Sequence, residues 1–309
     1  IETRLGGGSM ETRTVLVPLD GSLVAEMALP YAAAIARGLG ASVRLLAVIE
    51  PAPRGLTQRS EHRAVEFEQL ERRSLEEALA GAASRLQEQS LAVATHVVRG
   101  NPATAILNAA GDASVAMVIM GTHGRGGVDR WGVGSVAEQV MRQNVKPTLL
   151  VRLPYTPASQ QAPARPVALR LLLVPLDGSP LAEAALPLAG ELAAATGAQL
   201  MLLRVEPWLT VGSAPYGTVP EFTKMEDEAA TAAATYLAGV RERLPVDVPI
   251  ETLVLRGRPA TSLVDFALFE RVDLVVMTTH GRGGLRRLVL GSVADHIVRA
   301  GVPAVLVRP

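Results

Sequence analysis

Cysteine, aromatic side chains and net charge are all scarce in this chain. Its 309 residues include no cysteine, which excludes disulfides and thiolate chemistry. Aromatic residues make up 3% of the sequence and 30 basic residues balance 30 acidic ones, so neither base stacking nor electrostatics favours a nucleic-acid partner. No apolar run approaches the roughly 20 residues that a membrane-spanning helix needs, and no signal peptide is visible. We therefore expect a soluble cytoplasmic protein that binds neither nucleic acid nor membrane.

A glycine-rich segment occurs twice in the sequence. It spans Val115–Arg152 and recurs at Val272–Arg308. In both places an apolar run is followed by a glycine-dense loop, a helical pattern and a second apolar run. Strand, glycine loop, helix and strand in this order form a βαβ unit, in which the N-terminus of the helix can hold phosphate groups. Each copy therefore predicts a phosphate-binding loop.

The repeat extends over nearly the whole chain. The hexapeptide VPLDGS contains Asp20 in one copy and Asp177 in the other, and the same spacing separates Ser135 from Ser292. A constant spacing indicates two copies with few insertions, each of the usual size of one domain.

The boundaries of the two domains follow from the repeat. We predict domains at 10–153 and 169–309, joined by a linker at 154–168. Four prolines in the linker suit a semi-rigid connection. Residues 1–9, which precede Met10, are interpreted as a cloning remnant.

Each copy alternates apolar strands with helical patterns. This alternation predicts an α/β fold, a mostly parallel sheet with helices on both faces. Ligands of such sheets bind at the carboxyl ends of the strands, at the topological switch point, and the turns after strands one and four carry Asp20 and Gly121–Ser135. In the first copy the predicted strands are Thr14–Leu19, Ser42–Ile49, Leu91–Val98, Val115–Met120 and Thr148–Val151, and the first predicted helix is Leu23–Leu39. The second copy repeats this order, with a helix at Leu181–Thr196 and a last strand at Ala304–Val307.

A long helix is predicted to follow the second strand of each copy. In the first copy it spans Glu61–Gln89 and in the second Glu221–Leu244. The many Glu and Arg residues of the first long helix predict a solvated face. The apolar side of the first long helix is predicted to consist of Val65, Leu70, Leu75, Leu79 and Leu86.

The glycine loop has the spacing Gly121-x2-Gly124-x9-Gly134-Ser135. Glycines let backbone amides approach and converge on an anion, and the free N–H groups and dipole at a helix start favour phosphate. Ser135 adds a hydroxyl donor. The alternative is a glycine-rich turn in which Ser135 is only the N-cap of the helix.

Other candidate side chains also have two interpretations. Asp20 either completes a turn or hydrogen-bonds the base or sugar of a nucleotide. His123 either orients phosphates or is an ordinary loop histidine. Met120 and Val48 are interpreted as core residues whose outer atoms line a base pocket. The arginines near the two loops either meet phosphate or are solvated: Arg125, Arg130, Arg282, Arg286 and Arg287.

Several site classes lack support in this sequence. There is no G-x4-G-K-[ST] loop and no G-x-G-x-x-G after strand one, so neither a P-loop motor nor a dinucleotide enzyme is indicated. No G-x-S-x-G elbow appears, and the five histidines show no metal-ligand spacing. No residue is an obvious general base for hydrolysis, and Asp20 and His123 remain open as candidates.

In these motifs the chain resembles the tandem universal stress proteins. The resemblance rests on VPLDGS in both copies, on Gly-x-Pro-Ala at Gly100–Ala103 and Gly257–Ala260, and on G-x2-G-x9-G-S. It covers nearly all of Met10–Pro309. It implies two Rossmann-like (adenine nucleotide alpha hydrolase-like) domains, each a five-stranded parallel sheet of order 3-2-1-4-5. It also implies that the domains associate through their last strands, Thr148–Val151 and Ala304–Val307, and that the glycine motif binds ATP.

The resemblance also implies which residues form the two nucleotide sites. In the first copy the adenine and ribose pocket would be Pro18, Leu19, Asp20, Val48 and Val98, and the phosphate site Met120, Gly121, His123, Gly124, Gly134, Ser135 and Val136. In the second copy the counterparts would be Pro175, Leu176, Asp177, Val205, Met277, Thr278, His280, Gly281, Gly291, Ser292 and Val293.

Thr278 departs from the pattern, because it replaces the first glycine of the motif. A threonine adds branched bulk where backbone approaches the ligand and disfavours positive φ. If the residue has an ordinary φ, the threonine is tolerated and its hydroxyl can assist.

Three functions compete at this point. The first is a regulatory protein whose ATP, accompanied by Mg²⁺ or Mn²⁺, biases domain pairing or a partner surface. The second is a slow ATPase, and the third is a nucleotide-free dimerisation scaffold. Whether two chains form a homodimer stays open.

The loops Glu50–Ser60 and Glu206–Pro220 differ most between copies, and Trp208 makes the second loop the better candidate for copy-specific contacts.

Overall fold

The computed structural model describes residues 13–51, 58–122, 133–152, 166–208, 220–279 and 290–308. Domain 1 comprises β1 (Thr14–Pro18), α1 (Leu23–Glu26), α2 (Leu29–Leu39), β2 (Ser42–Ile49), α3 (Gln58–Gln87), β3 (Val93–Arg99), α4 (Pro102–Ala110), β4 (Val115–Gly121), α5 (Ser135–Gln143) and β5 (Thr148–Val151). Domain 2 comprises β6 (Leu171–Pro175), α6 (Pro180–Glu183), α7 (Leu186–Thr196), β7 (Gln199–Glu206), α8 (Pro220–Arg243), β8 (Ile250–Arg256), α9 (Pro259–Phe269), β9 (Leu274–Thr278), α10 (Ser292–Arg299) and β10 (Ala304–Val307).

These strands form one continuous sheet. Their order is β3-β2-β1-β4-β5-β10-β9-β6-β7-β8. Neighbouring strands within each domain are parallel, so each domain has the strand order 3-2-1-4-5. The predicted fold class and strand order are therefore confirmed.

Helices cover both faces of the sheet. In domain 1, α1, α2 and α3 pack over Val15 and Val17, whereas α4 and α5 pack over Leu16 and Val118. The central strand β1 is buried along its whole length, which explains its run of apolar residues without alternation. Domain 2 repeats the arrangement, and both apolar layers continue across the boundary between the domains.

The two domains meet edge to edge through their last strands. β5 and β10 are antiparallel, and Leu149 lies opposite Val305. The predicted meeting strands are thus confirmed. The pairing satisfies two strand edges that would otherwise be open to other chains. Beside it, the guanidinium group of Arg308 donates a hydrogen bond of 2.9 Å to the carbonyl oxygen of Arg142.

A second contact between the domains is the crossing of α2 and α7. At this crossing a Cβ placed on Gly38 would lie 2.6 Å from the carbonyl oxygen of Ala195. Ala195 is the counterpart of Gly38 in the repeat, so the two helices approach at equivalent positions, where the contact leaves no room for a side chain on Gly38. An ion pair between Arg13 and Glu191 also joins the domains.

One predicted helix in each domain is in fact two helices. The continuous helix predicted at Leu23–Leu39 is interrupted between α1 and α2, and domain 2 has the same interruption between α6 and α7. Pro30 lies in the first turn of α2. Proline has no N–H and its ring clashes with the carbonyl group four residues earlier, so the helix has to restart. The prediction of one helix was wrong, and the proline was the signal against it.

The long helix α3 is only partly an apolar element. Leu75, Leu79 and Leu86 are buried as predicted, but Val65 and Leu70 are 55% and 63% exposed, which corrects the predicted apolar side. A helix of 30 residues is about 45 Å long, whereas β2 has eight residues and spans roughly 26 Å. The helix is therefore longer than the strands that it covers, and one end of it extends beyond the sheet. In the described ranges, no helix combines the length and the apolar character that crossing a membrane requires.

Candidate functional site

The two turns predicted to form the site are neighbours at one edge of the sheet. β1 and β4 are adjacent and parallel, with Leu16 opposite Val118, so the chain leaves both strands at the same edge. β2 lies on the other side of β1, which makes this place the topological switch point where ligands of such sheets bind. In domain 2, β6 and β9 are paired in the same way.

Asp20 forms the first turn. Its Oδ1 accepts hydrogen bonds from the backbone N–H of Ser22 at 3.0 Å and from the hydroxyl of Ser22 at 2.6 Å. The hydroxyl oxygen of Ser22 in turn accepts from the N–H of Ala25 and caps α1. Gly21 between them has φ +78°, a conformation that favours glycine. Asp20 therefore completes this turn through its Oδ1, as the first of its two interpretations predicts.

Domain 2 builds the same turn from Asp177. Its Oδ1 accepts from the N–H of Ser179 at 2.9 Å and from the hydroxyl at 2.6 Å, and Ser179 caps α6. Gly178 has φ +82°, and Pro180 occupies the first helical position, as the sequence predicted. The contribution of either aspartate to a ligand stays a prediction.

The contribution of Asp20 to stability can be measured separately from any contribution to binding. We expect Asp20→Ala to lower the free energy of unfolding by about 1–2 kcal/mol, because two hydrogen bonds to a carboxylate are lost. Asp20→Asn retains an oxygen acceptor and should stay within about 0.5 kcal/mol of the wild type. Urea unfolding checks both, with the exposed Asp247→Ala as the control. Equal losses for the alanine and asparagine variants would contradict the role of Oδ1 as the acceptor.

The predicted apolar lining of the site lies on one face of the sheet. Val48 and Val98 are opposite each other on β2 and β3 and are half-buried. Met120 is 5% exposed, and Val136 packs against the same cluster beneath α4 and α5. All four side chains therefore belong to one apolar cluster on this face of the sheet. Val205, Met277 and Val293 belong to the equivalent part of domain 2.

Two predicted residues are separated from this lining. The side chains of Leu19 and Leu176 are 6% and 2% exposed and belong to the apolar cluster on the opposite face, beneath α1–α3 and α6–α8. Their contribution to a pocket on the Val48 face is limited to the backbone. Pro18 and Pro175 end β1 and β6, directly before them.

The second turn leads into α5, which begins without a side-chain cap. Gly134 is the N-cap, with φ −61° and ψ 154°, and Ser135 is the first helical residue with an exposed side chain. Gly291 and Ser292 repeat this at α10. The alternative in which Ser135 serves as the N-cap is therefore wrong. The first N–H groups of a helix have no intrahelical partner, and the N-cap glycines Gly134 and Gly291 have no side chain with which to cap them.

Thr122 closes the base of this turn, and sequence reasoning missed it. Its carbonyl oxygen accepts a hydrogen bond of 2.8 Å from the N–H of Gly134, and its own N–H donates to the carbonyl oxygen of Val151 at 3.0 Å. Thr279 makes the same contacts with Gly291 and Val307. The only hint in the sequence was a threonine before His-Gly in both copies. These bonds fix the start of α5 against β5, the strand that joins the domains.

Part of each predicted phosphate site lies outside the described residues. This applies to His123, Gly124, His280 and Gly281, and to the five arginines near the loops, Arg125, Arg130, Arg282, Arg286 and Arg287. Their roles stay predictions. Within the described ranges there is no group of three or more His, Cys, Asp or Glu residues able to hold a metal ion, so we assign no metal ligand.

Thr278 has an ordinary backbone conformation. It is the last residue of β9, pairs with Val307 and is 4% exposed. It is absent from the described non-glycine residues with positive φ, which are Ser90 and Arg271. Gly121 is likewise a strand residue, paired with Val151. The backbone φ at this position is therefore one that threonine adopts readily, which was the condition for tolerating it there.

Comparison with known proteins agrees with this architecture. A model of the universal stress protein family matches residues 11–152 and 169–308. A universal stress protein of Mycolicibacterium smegmatis is 32% identical over 304 residues, covering 96% of this chain and 97% of the relative. One from Mycobacterium tuberculosis is 29% identical over 315 residues, covering 95% and 94%. The crystal structure of a universal stress protein from Archaeoglobus fulgidus covers 96% of both chains with a TM-score of 0.64 and 19% identity, a likeness of fold.

Proposed function

The chain belongs to the universal stress protein family, and we propose that it is an ATP-binding regulatory member with one nucleotide site in each domain. The proposal rests on one observation above all. In each domain, a helix whose N-cap is a glycine, and which therefore has no side-chain cap from that residue, begins at the same sheet edge as the aspartate turn. Free N–H groups and the positive end of the helix dipole favour a phosphate there.

The residues around this helix start suit the other parts of ATP. Half-buried Val48 and Val98 offer apolar surface to a nucleobase. Asp20 is held in a fixed orientation by Ser22, and a carboxylate can accept hydrogen bonds from ribose hydroxyls or from an amino group of the base. In this proposal Gly134 leaves space for phosphates because it has no side chain, and Ser135 offers a hydroxyl from the first helical turn.

A regulatory role fits the position of the site beside the domain junction. Thr122 connects Gly134 to Val151, and β5 pairs directly with β10 of domain 2. A ligand that favours one arrangement of this turn would bias the arrangement of the junction by its difference in affinity for the two. Bound Mg²⁺ or Mn²⁺ would neutralise phosphate charge, and Ser135 would then contact a phosphate oxygen whose charge is shared with the metal.

The proposal is tested by identifying what the purified protein carries. We expect ATP among the small molecules released on denaturation, detected by mass spectrometry. The double variant Gly134→Val/Gly291→Val should release none. The same nucleotide content in both proteins would contradict the assigned sites. Phosphate release in the presence of Mg-ATP, absent from the double variant, would identify the slow ATPase instead.

A further inference from the structure

Domain 2 carries a charged pair where domain 1 is apolar. Leu46 lies opposite Pro18 and Leu203 lies opposite Pro175, so the next residues of the two strands correspond. In domain 1 these include Ala47 and Ile49, both 0% exposed. In domain 2 their counterparts are Arg204 and Glu206, whose side chains are 16% and 18% exposed.

The ion pair of Arg204 and Glu206 leaves one carboxylate oxygen without a well-formed hydrogen bond. The Nε of Arg204 lies 2.6 Å from the Oε1 of Glu206, yet this buried oxygen has no hydrogen-bond partner of good geometry in the described part of the chain. A buried ion pair is costly unless other groups complete its contacts. The guanidinium carbon of Arg204 lies 5.3 Å from the centroid of the Tyr236 ring, a cation–π distance. Tyr236 therefore lies in one cluster with Arg204 and Glu206.

Tyr236 also holds the short helix α6. Its hydroxyl donates a hydrogen bond of 2.8 Å to the Oε1 of Glu183, and Arg243 contacts the other oxygen of Glu183 at 3.3 Å. In domain 1 the matching contact is Arg85 to Glu26, at 2.7 Å.

Ala78 occupies the place of Tyr236 in domain 1. Leu79 and Leu237 are the matching buried leucines of the two long helices, so the residues before them correspond. An alanine cannot donate a hydrogen bond to Glu26. The hydroxyl contact on the end of the short helix is therefore a feature of domain 2.

The contacts of Tyr236 lead to the aspartate turn. Glu183 is the last residue of α6, and the N-cap of α6 is Ser179, which is hydrogen-bonded to Asp177. A helix of four residues has no stability of its own, so its position depends on what holds its two ends. Burial, followed by the bond to Glu183, raises the pKa of Tyr236, and the charge of Asp177 adds to the rise.

We propose that Tyr236 is a positioning residue for Asp177, and that it makes the nucleotide site of domain 2 bind more tightly than an equivalent site without this contact. Its hydroxyl acts through Glu183 and α6. The inference rests on the proposed function, because it assumes that Asp177 contacts the ligand. Ala78 stands at the equivalent position of domain 1, so the two sites of one chain differ in how firmly their aspartates are held.

The test uses the full chain with domain 1 disabled by Gly134→Val. In this background Tyr236→Phe keeps the ring over Arg204 and removes only the hydroxyl. We expect the Kd for ATP, measured by calorimetric titration, to rise about fivefold, as the loss of part of one hydrogen bond to a charged group predicts. The rise should be the same for ADP, since the base and sugar end of the ligand is affected. Glu183→Gln keeps an oxygen acceptor for the phenol and should bind nearly as the parent does.

A second variant separates positioning from a role in stability alone. Asp177→Ala should weaken binding, and adding Tyr236→Phe to it should cause no further loss, because the hydroxyl acts through the aspartate. With domain 2 disabled by Gly291→Val instead, Tyr236→Phe should leave the Kd of domain 1 unchanged. A lowered Tm with an unchanged Kd would overturn the positioning role and leave the site assignment intact. No binding of ATP by the Gly134→Val parent would overturn the nucleotide site of domain 2 and the positioning role with it.

Discussion

Replacing Gly134 with valine is expected to remove ATP binding from domain 1, with the Kd rising more than about 100-fold, since the side chain would displace phosphate from the helix N-terminus. The backbone of Gly134 is extended, with φ −61° and ψ 154°, a conformation that valine adopts readily. The expected loss therefore comes from the space the isopropyl group fills, and the fold should be retained. Circular dichroism and Tm check the fold, and titration with ATP checks binding.

The neighbouring serine provides the matched control. Ser135 is exposed at the first helical position, so Ser135→Ala removes one hydroxyl and adds no bulk. We expect it to weaken binding about tenfold, the lower end of what one hydrogen bond to a charged group contributes, because the side chain is exposed. Both variants are compared in the Gly291→Val background, which isolates domain 1. An unchanged Kd for Gly134→Val in that background would contradict the assignment of α5 as the phosphate-binding helix.

Replacing Gly38 with alanine should destabilise the junction between the domains by about 2–3 kcal/mol, the usual cost of overpacking a close contact. The added Cβ would lie 2.6 Å from the carbonyl oxygen of Ala195. A backbone carbonyl cannot rotate away as a side chain can, so α2 and α7 would have to separate. The intrinsic gain of alanine over glycine in a helix, about 0.5–1 kcal/mol, offsets only part of this cost. Thermal and urea unfolding measure the effect.

Gly81 offers the control for helix propensity. It lies in α3, where a Cβ would meet nothing closer than the end of the Arg85 side chain at 3.8 Å. Gly81→Ala should therefore be neutral or stabilise the protein by up to about 1 kcal/mol. If Gly38→Ala behaved like Gly81→Ala, the close approach of α2 and α7 would be wrong.

Much of the fold was predictable because local signals and packing agree. The strands Ser42–Ile49, Thr148–Val151 and Ala304–Val307 have the predicted bounds, since their apolar runs are bounded by polar residues, glycine or proline. The duplicated sequence also predicted the duplicated topology. The interruption before α2 was missed because the alanine-rich helical pattern continues through it, whereas Pro30 forbids one of the hydrogen bonds that a continuous helix requires.

The candidate site was predictable only where its residues are close in sequence. Asp20 and Ser22 form their turn within three residues, and Gly134 precedes the helix it caps. The contact of Tyr236 with Glu183 joins elements 53 residues apart. No periodic pattern indicates such a pairing, because it depends on how α8 crosses α6. Thr122 was missed for a related reason, since it contributes through backbone groups that every residue has.

The most direct test of the central claim is a calorimetric titration of the nucleotide-free full chain with Mg-ATP. Two ATP-binding sites per chain are expected, one lost in Gly134→Val, the other in Gly291→Val, and both in the double variant. Binding that persists in the double variant, or no binding by the wild-type chain, would contradict the claim that each domain holds a nucleotide between its aspartate turn and the helix that follows its fourth strand.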